Sequence, residues 1–266
     1  LPPIEKEFVS SNNTLPWKSV NFGNYYALII ANNSYQQLPS LTTPVNDAEA
    51  IDSLLKENYG FKTTVLLNAT RYQILSKLNE LREKLTEKDN LLIYYAGHGE
   101  LDHVNMRGHW LPVDADANNT ANWISTIAIS DILNTMSTKH IMVVSDSCYS
   151  GAMTRSSIAR LPVLNDNQKM QWIQSMVNSR SRTVLTSGGL KPVLDNVGGK
   201  HSVFAQAFID SLNDNKTLLE AQSLYYKVSE NVVSKSANYV INQIPEYAPI
   251  RHAGHESGEF FFVPAI

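Results

Sequence analysis

The chain has a single cysteine, Cys148, in 266 residues. One cysteine excludes an internal disulfide and any multi-cysteine zinc site. A chain this long has room for a large core and needs neither for stability. Charge is sparse, at 18% of residues, and balanced, with 22 basic against 25 acidic residues. No basic excess or stripe marks a nucleic-acid footprint. Long apolar runs are missing too. The longest, Tyr25 to Ala31 and Leu91 to Ala96, are strand-sized, far below the roughly 20 residues of a membrane-spanning helix. Neither nucleic acid nor membrane is expected as a partner. The sequence starts at Leu1 rather than Met, which reads as processing or trimming.

Residues 1–22 carry Pro2, Pro3, Pro16 and a Ser-Ser-Asn-Asn-Thr stretch, and read as an irregular N-terminal arm. Strand-like and helix-like segments then alternate. Strands are expected at 25–31, 63–67, 91–96, 140–145 and 183–186, with a last one at 259–263. Helices are expected at 46–58, capped by Asn46 or Asp47 and ended by Gly60, and from Thr70 along Ile74, Leu78, Leu81 and Leu85. Further helices are expected at 127–137, 168–178, 202–213 and 217–234, and a loop at 155–167. Alternation of this kind predicts a mostly parallel sheet of about six strands, with helices on both faces, in one domain over 23–266. Such sheets place reactive groups beyond the carboxyl ends of their strands.

Two strand ends carry chemistry. The third runs into Gly97-His98-Gly99, and the fourth into Asp146-Ser147-Cys148-Tyr149-Ser150-Gly151. If the two strands are neighbours, His98 and Cys148 share one sheet edge. A thiol is mostly protonated at neutral pH, and a histidine beside it accepts that proton. The resulting imidazolium can then protonate a leaving amine. Gly97 and Gly99 permit a sharp turn and close backbone approach. The N–H groups of Gly99 and Cys148 are candidates for an oxyanion hole.

Tyr94-Tyr95-Ala96-Gly97-His98-Gly99, taken with Asp146-Ser147-Cys148-Tyr149-Ser150-Gly151, resembles the caspase-like cysteine peptidases, nearest to metacaspases and their bacterial relatives, in the clan that also holds legumains and gingipains. The spacing of about 50 residues between histidine and cysteine matches the caspase pattern. Asn46-Asp47-Ala48, Trp110-Leu111-Pro112-Val113-Asp114 and Thr186-Ser187-Gly188-Gly189 extend the likeness over 25 to about 263. The resemblance implies a caspase-like three-layer sandwich and a thiol endopeptidase, with Cys148 as nucleophile and His98 as base and acid. It also implies substrate-binding roles for Asp47, Asp146 and Ser187. Caspases have glutamine and arginine where Asp146 and Tyr149 stand, whereas metacaspases have the aspartate. Two carboxylates in one pocket attract a guanidinium or ammonium, so cleavage after Arg or Lys is expected. Asp47 has an alternative reading as a helix cap, and Asp146 as a loop carboxylate. Ala96 departs from several metacaspases, which carry serine there.

The same resemblance makes 155–180, with Arg155 and Arg160, a candidate activation linker and self-cleavage site. No metal site is assigned and no cofactor is required. Calcium activation stays open, with Asp114, Asp116 and Asp131 as acidic candidates, although residue 130 is Ser and surface solvation is the preferred reading. Glu100 is a candidate to orient His98, with a surface carboxylate preferred. His252 and His255 lack a third ligand and read as a loop. The partner is a protein or peptide substrate, and the chain is expected to be monomeric. Location stays open between cytoplasm and export. A silent interaction domain, or an amidase or acyltransferase with a Cys–His pair, are the alternatives.

Overall fold

The computed structural model describes residues 16–147, 165–188, 199–236 and 243–265. In chain order the elements are β1 (Asn24–Ala31), α1 (Pro44–Tyr59), β2 (Lys62–Leu67), α2 (Arg71–Lys84), β3 (Asp89–Ala96), β4 (Gly99–Asp102), β5 (Arg107–Trp110), β6 (Ile124–Ser125), α3 (Thr126–Thr135) and β7 (His140–Asp146). They continue with α4 (Asp166–Asn178), β8 (Ser181–Thr186), α5 (Val203–Asn213), β9 (Leu219–Glu220), α6 (Ala221–Ser236), β10 (Glu246–Pro249) and β11 (Phe261–Phe262).

Six strands form the central sheet in the order β10-β8-β7-β3-β1-β2. All pairings are parallel except β10 on β8. β3 and β7 are buried at every position, as their unbroken apolar sequence demands. Side chains alternate across the sheet. Ala27, Ile29, Leu92, Tyr94, Met142, Val144 and Leu185 face one core with α1, α5 and α6. Leu28, Ile30, Leu91, Ile93, Tyr95, Ile141, Val143 and Val184 face the other, with α2 and α3. Each fully buried Leu or Ile contributes about 1.5–3 kcal/mol, so both layers are held firmly against the strands.

Helix punctuation follows local chemistry. Thr70 and Gln73 form a capping box at the start of α2, which satisfies two of the free N–H groups there. Gly60 closes α1 in the left-handed region, at φ 66°, where a side chain is strained. The start of α1 differs from expectation. Thr43 is the cap residue and Pro44 occupies the first turn, while the Asp47 N–H donates to the Thr43 carbonyl. Asn46 and Asp47 therefore sit inside the helix. Proline, pre-set for helical φ, sets the boundary.

The edge strand is a second correction. Glu246–Pro249 takes the sixth place in the sheet, while Phe261–Phe262 pairs with Leu219–Glu220. The expected helix at 217–234 therefore begins only at Ala221. A small antiparallel sheet of β4, β5 and β6, not expected from the sequence, follows the Gly-His-Gly turn. Of the proposed linker at 155–180, residues 155–164 lie outside the described ones. Asn165 caps α4 with a capping box, so the expected loop gives way to helix by residue 166. Trp17, Val20 and Phe22 pack with α4 and Phe261, which ties the end of the N-terminal arm to the domain.

Candidate active site

β3 and β7 are parallel neighbours, with Ala96 opposite Asp146. Adjacency of the two reactive strand ends, an expectation of the sequence, is thus present in the fold. His98 stands two residues past Ala96. Cys148 lies outside the described residues, as do Tyr149, Ser150 and Gly151. Its immediate neighbour Ser147 is buried.

His98 is held on three sides. Its N–H donates to the Tyr35 hydroxyl at 2.7 Å, and its carbonyl accepts from the Tyr95 hydroxyl at 2.7 Å. Its ring packs on Tyr35 with centroids 4.6 Å apart. Ring Nε2 lies 2.8 Å from the Pro39 carbonyl oxygen. A carbonyl only accepts, so Nε2 carries the proton, and in the neutral ring the lone pair belongs to Nδ1. Gly97 is required here, because a Cβ would lie 2.6 Å from the Tyr35 hydroxyl oxygen.

Gly99 opens β4 opposite Trp110, and the Leu111 N–H donates to the His98 carbonyl. That bond flanks a pair which exchanges no hydrogen bonds of its own, so the Gly99 N–H points away from β5. Glu100 faces His109 in the register. The group found on the His98 ring is the Pro39 carbonyl. Trp110 stacks on Tyr95 at 4.3 Å, and its indole N–H donates to Ser145 Oγ. This bolsters the end of β7 from the α2/α3 side.

Asp146 follows Ser145 and faces the other way, toward α1 and α5. Asp47 is wholly buried, and Asp146 is 5% exposed. Two adjacent residues reach both carboxylates. His201 Nδ1 lies 2.7 Å from Asp47 Oδ1, and the Ser202 hydroxyl donates to Asp146 Oδ2 at 2.5 Å. The Ser202 N–H also approaches Asp47 Oδ2, at 3.5 Å. Tyr94 is buried on the same face, and its hydroxyl has no hydrogen-bond partner among the described residues. Burial, then the charges of Asp146 and Asp47, hold its phenol well above the ordinary tyrosine range. Ser187 follows β8. Its N–H donates to the Ser145 carbonyl, while its buried hydroxyl has no partner among the described residues. The structure therefore gathers Asp47, Asp146, Tyr94, His201 and Ser202 on one face beneath the strand ends, with Ser187 alongside β7.

The other acidic residues do different work. Asp114 accepts from the Arg71 N–H at the start of α2, and Asp116 accepts from the Asn118 N–H in a turn. Asp131 lies exposed on α3. Among the described residues no three His, Cys, Asp or Glu side chains group so as to hold a metal ion. His255 Nδ1 accepts from the Arg182 N–H, and His252 sits in a turn at φ 59°. No described helix is long and apolar enough to cross a membrane.

Sequence reasoning missed Tyr35, Pro39, His201 and Ser202. The first two follow β1, so the rule pointing past strand ends applied to them as well. Ser202 had a further signal as a cap residue ahead of an apolar helix.

A mostly parallel six-stranded sheet between two helical layers, with a buttressed histidine turn at its carboxyl edge, defines a caspase-like α/β fold. The caspase-domain family profile matches residues 24–251, and the chain belongs to that family of cysteine peptidases. It is similar to mucosa-associated lymphoid tissue lymphoma translocation protein 1 of Homo sapiens, 32% identical over 113 residues. The Mus musculus homolog is 33% identical over 113 residues. Those segments cover 42% of this chain and 13% of each relative. Caspase-1 from Spodoptera frugiperda shares the fold, with a TM-score of 0.58 at 16% identity over 86% of this chain and 88% of that one. Protein GSU0716 from Geobacter sulfurreducens does likewise, with a TM-score of 0.57 at 15% identity over 88% of this chain and 97% of that one.

Proposed function

We propose that this caspase-family domain is a cysteine endopeptidase that cleaves after arginine or lysine, with Cys148 as nucleophile and His98 as base and acid. The observation that carries the reading is the fixed tautomer of His98. With Nε2–H committed to Pro39, Nδ1 is the basic nitrogen. Cys148 follows Asp146 by two residues, as His98 follows Ala96, on paired strands. In this reading Nδ1 takes the thiol proton as sulfur attacks the scissile carbonyl carbon. The N–H groups of Gly99 and Cys148 meet the developing oxyanion. The imidazolium then gives its proton to the departing amine, and water hydrolyses the thioester with His98 again as base.

The preference for a basic side chain rests on Asp47 and Asp146 sharing one face, which favours a cation and disfavours an acidic residue. Ser187 is assigned to the same substrate-binding wall. Self-cleavage near Arg155 or Arg160 belongs to this reading, as does activity of a single copy without a required cofactor. Fluorogenic peptides ending in Arg, Lys, Asp or Asn test it, with and without calcium, against Cys148→Ala. Turnover of the basic substrates alone, lost in the variant, is expected. Turnover of aspartyl peptides overturns the pocket assignment, and no turnover in any condition overturns the enzyme assignment.

A further inference from the structure

The acidic pocket has two residues that no motif assigns. His201 and Ser202 reach the two carboxylates from the same short segment, His201 on Asp47 and Ser202 on both. Asp47 comes from α1 and Asp146 from the end of β7, two elements far apart in the chain. The connection runs through the turn that enters α5. Ser202 is also the cap of α5, its hydroxyl accepting from the Ala205 N–H at 2.9 Å. Asn46 Nδ2 donates to the Lys200 carbonyl at 3.5 Å, a further tie between that turn and α1.

His201 is suited to this position. Burial, and then the nearby Lys200, pull its pKa below the ordinary histidine value, although Asp210 opposes them. Whatever its charge, the ring reaches Asp47 through Nδ1, which donates to the carboxylate.

We propose that His201 and Ser202 are positioning residues that hold Asp47 and Asp146 in the geometry that selects a basic substrate side chain, making the turn into α5 the specificity-determining element of the pocket. The inference rests on the reading of the pocket given above. Its mechanism is pre-organisation, since a carboxylate already aimed loses less on binding than one that must be ordered.

The test uses His201→Ala, whose side chain is partly exposed and caps no helix. KM and kcat are measured on an arginyl peptide, and Cys148 alkylation by iodoacetamide is followed in parallel. KM is expected to rise about tenfold, with kcat within about twofold and alkylation unchanged, because only ground-state holding of the cation is weakened. His201→Asn, which restores an N–H donor close to the Nδ1 position, is expected to recover part of the loss. Ser202→Thr, which keeps both hydroxyl and cap, is expected to bind more tightly than Ser202→Ala. An unchanged KM in His201→Ala overturns the proposal, as does a parallel fall in KM-independent turnover and alkylation, the mark of a merely structural role. Two failures are separable. If wild-type protein turns over basic peptides and Asp47→Asn weakens them while His201→Ala does not, only this inference falls. If wild-type protein ignores basic peptides, the pocket reading itself falls and takes the inference with it.

Discussion

The two ends of the central sheet bury charged groups of opposite sign. At the amino end, Arg182 is wholly buried and uses its five N–H bonds on five backbone carbonyls: Leu133, Met136, Thr138, Lys139 and Ser181. His140 Nδ1 is beside Asn90 Oδ1 at 2.8 Å. Here side chains complete the fold by closing off the main chain around the end of α3. At the carboxyl end the charges are of the other sign. Asp47 and Asp146 are buried there on one face, met by His201 and Ser202, while Pro39, Tyr35 and Tyr95 hold His98. The first end commits its buried cation to the main chain of the fold, and on the function proposed above the second keeps its carboxylates for a substrate cation. Stability and activity should therefore separate along the strands.

The sharpest separation is expected from Cys148→Ala, which should lower peptide turnover by at least about a thousandfold while a thermal melt stays within about 1 °C of wild type. Arg182→Met should do the reverse. Five carbonyls each lose the guanidinium as a donor, and a loss of about 3–5 kcal/mol is expected in denaturant titrations, with kcat/KM retained well below the melting temperature. If Arg182→Met remains stable, the contrast between the ends is broken.

Acid should act on the amino end as well. Burial brings the His140 pKa down to about 4 from 6.5. Between these values the unfolded chain binds a proton that the folded chain does not, so stability falls as pH drops from 6.5 toward 4. The shift corresponds to about 3 kcal/mol. His140→Gln should lack that contribution, and the gap between its melting curve and the wild-type curve should change with pH across this window.

Smaller effects are expected at the carboxyl end. Asp47→Asn should cut kcat/KM for arginyl peptides by roughly thirtyfold, about 2 kcal/mol, mainly through KM. Tyr35→Phe removes the acceptor of the His98 N–H and should lower kcat by roughly fivefold, about 1 kcal/mol. An equal effect of Tyr35→Phe on melting temperature and on kcat would blur the distinction drawn here.

Much of the fold was legible because burial on both faces leaves an unbroken apolar run, as in Leu91 to Ala96 and Ile141 to Val144. Such a run reports burial without naming its partner. That is why Glu259 to Val263 was expected as a strand of the main sheet, although Phe261 and Phe262 pair with β9. The true sixth strand, Glu-Tyr-Ala-Pro, is short and ends in proline, a composition that only an edge position tolerates. In the site, His98 was legible from its glycines. Asp146 and Asp47 were read from the resemblance, with local alternatives still open, and the structure brings the two to one face. Pro39 was not, because a backbone carbonyl has no side-chain signature. His201 and Ser202 looked like the approach to a helix, and only the packing of α5 beside α1 brings them to the two aspartates.

The Pro39 contact carries a consequence for how this protein tolerates change. A main-chain oxygen cannot be deleted by substitution, so the tuning of His98 is insulated from most point mutations in the segment between β1 and α1. It is exposed to changes of length instead. One residue inserted or removed between Asn33 and Thr43 would shift the carbonyl away from the ring while leaving every motif intact. Ancestry in this segment should be recorded in spacing rather than in residue identity.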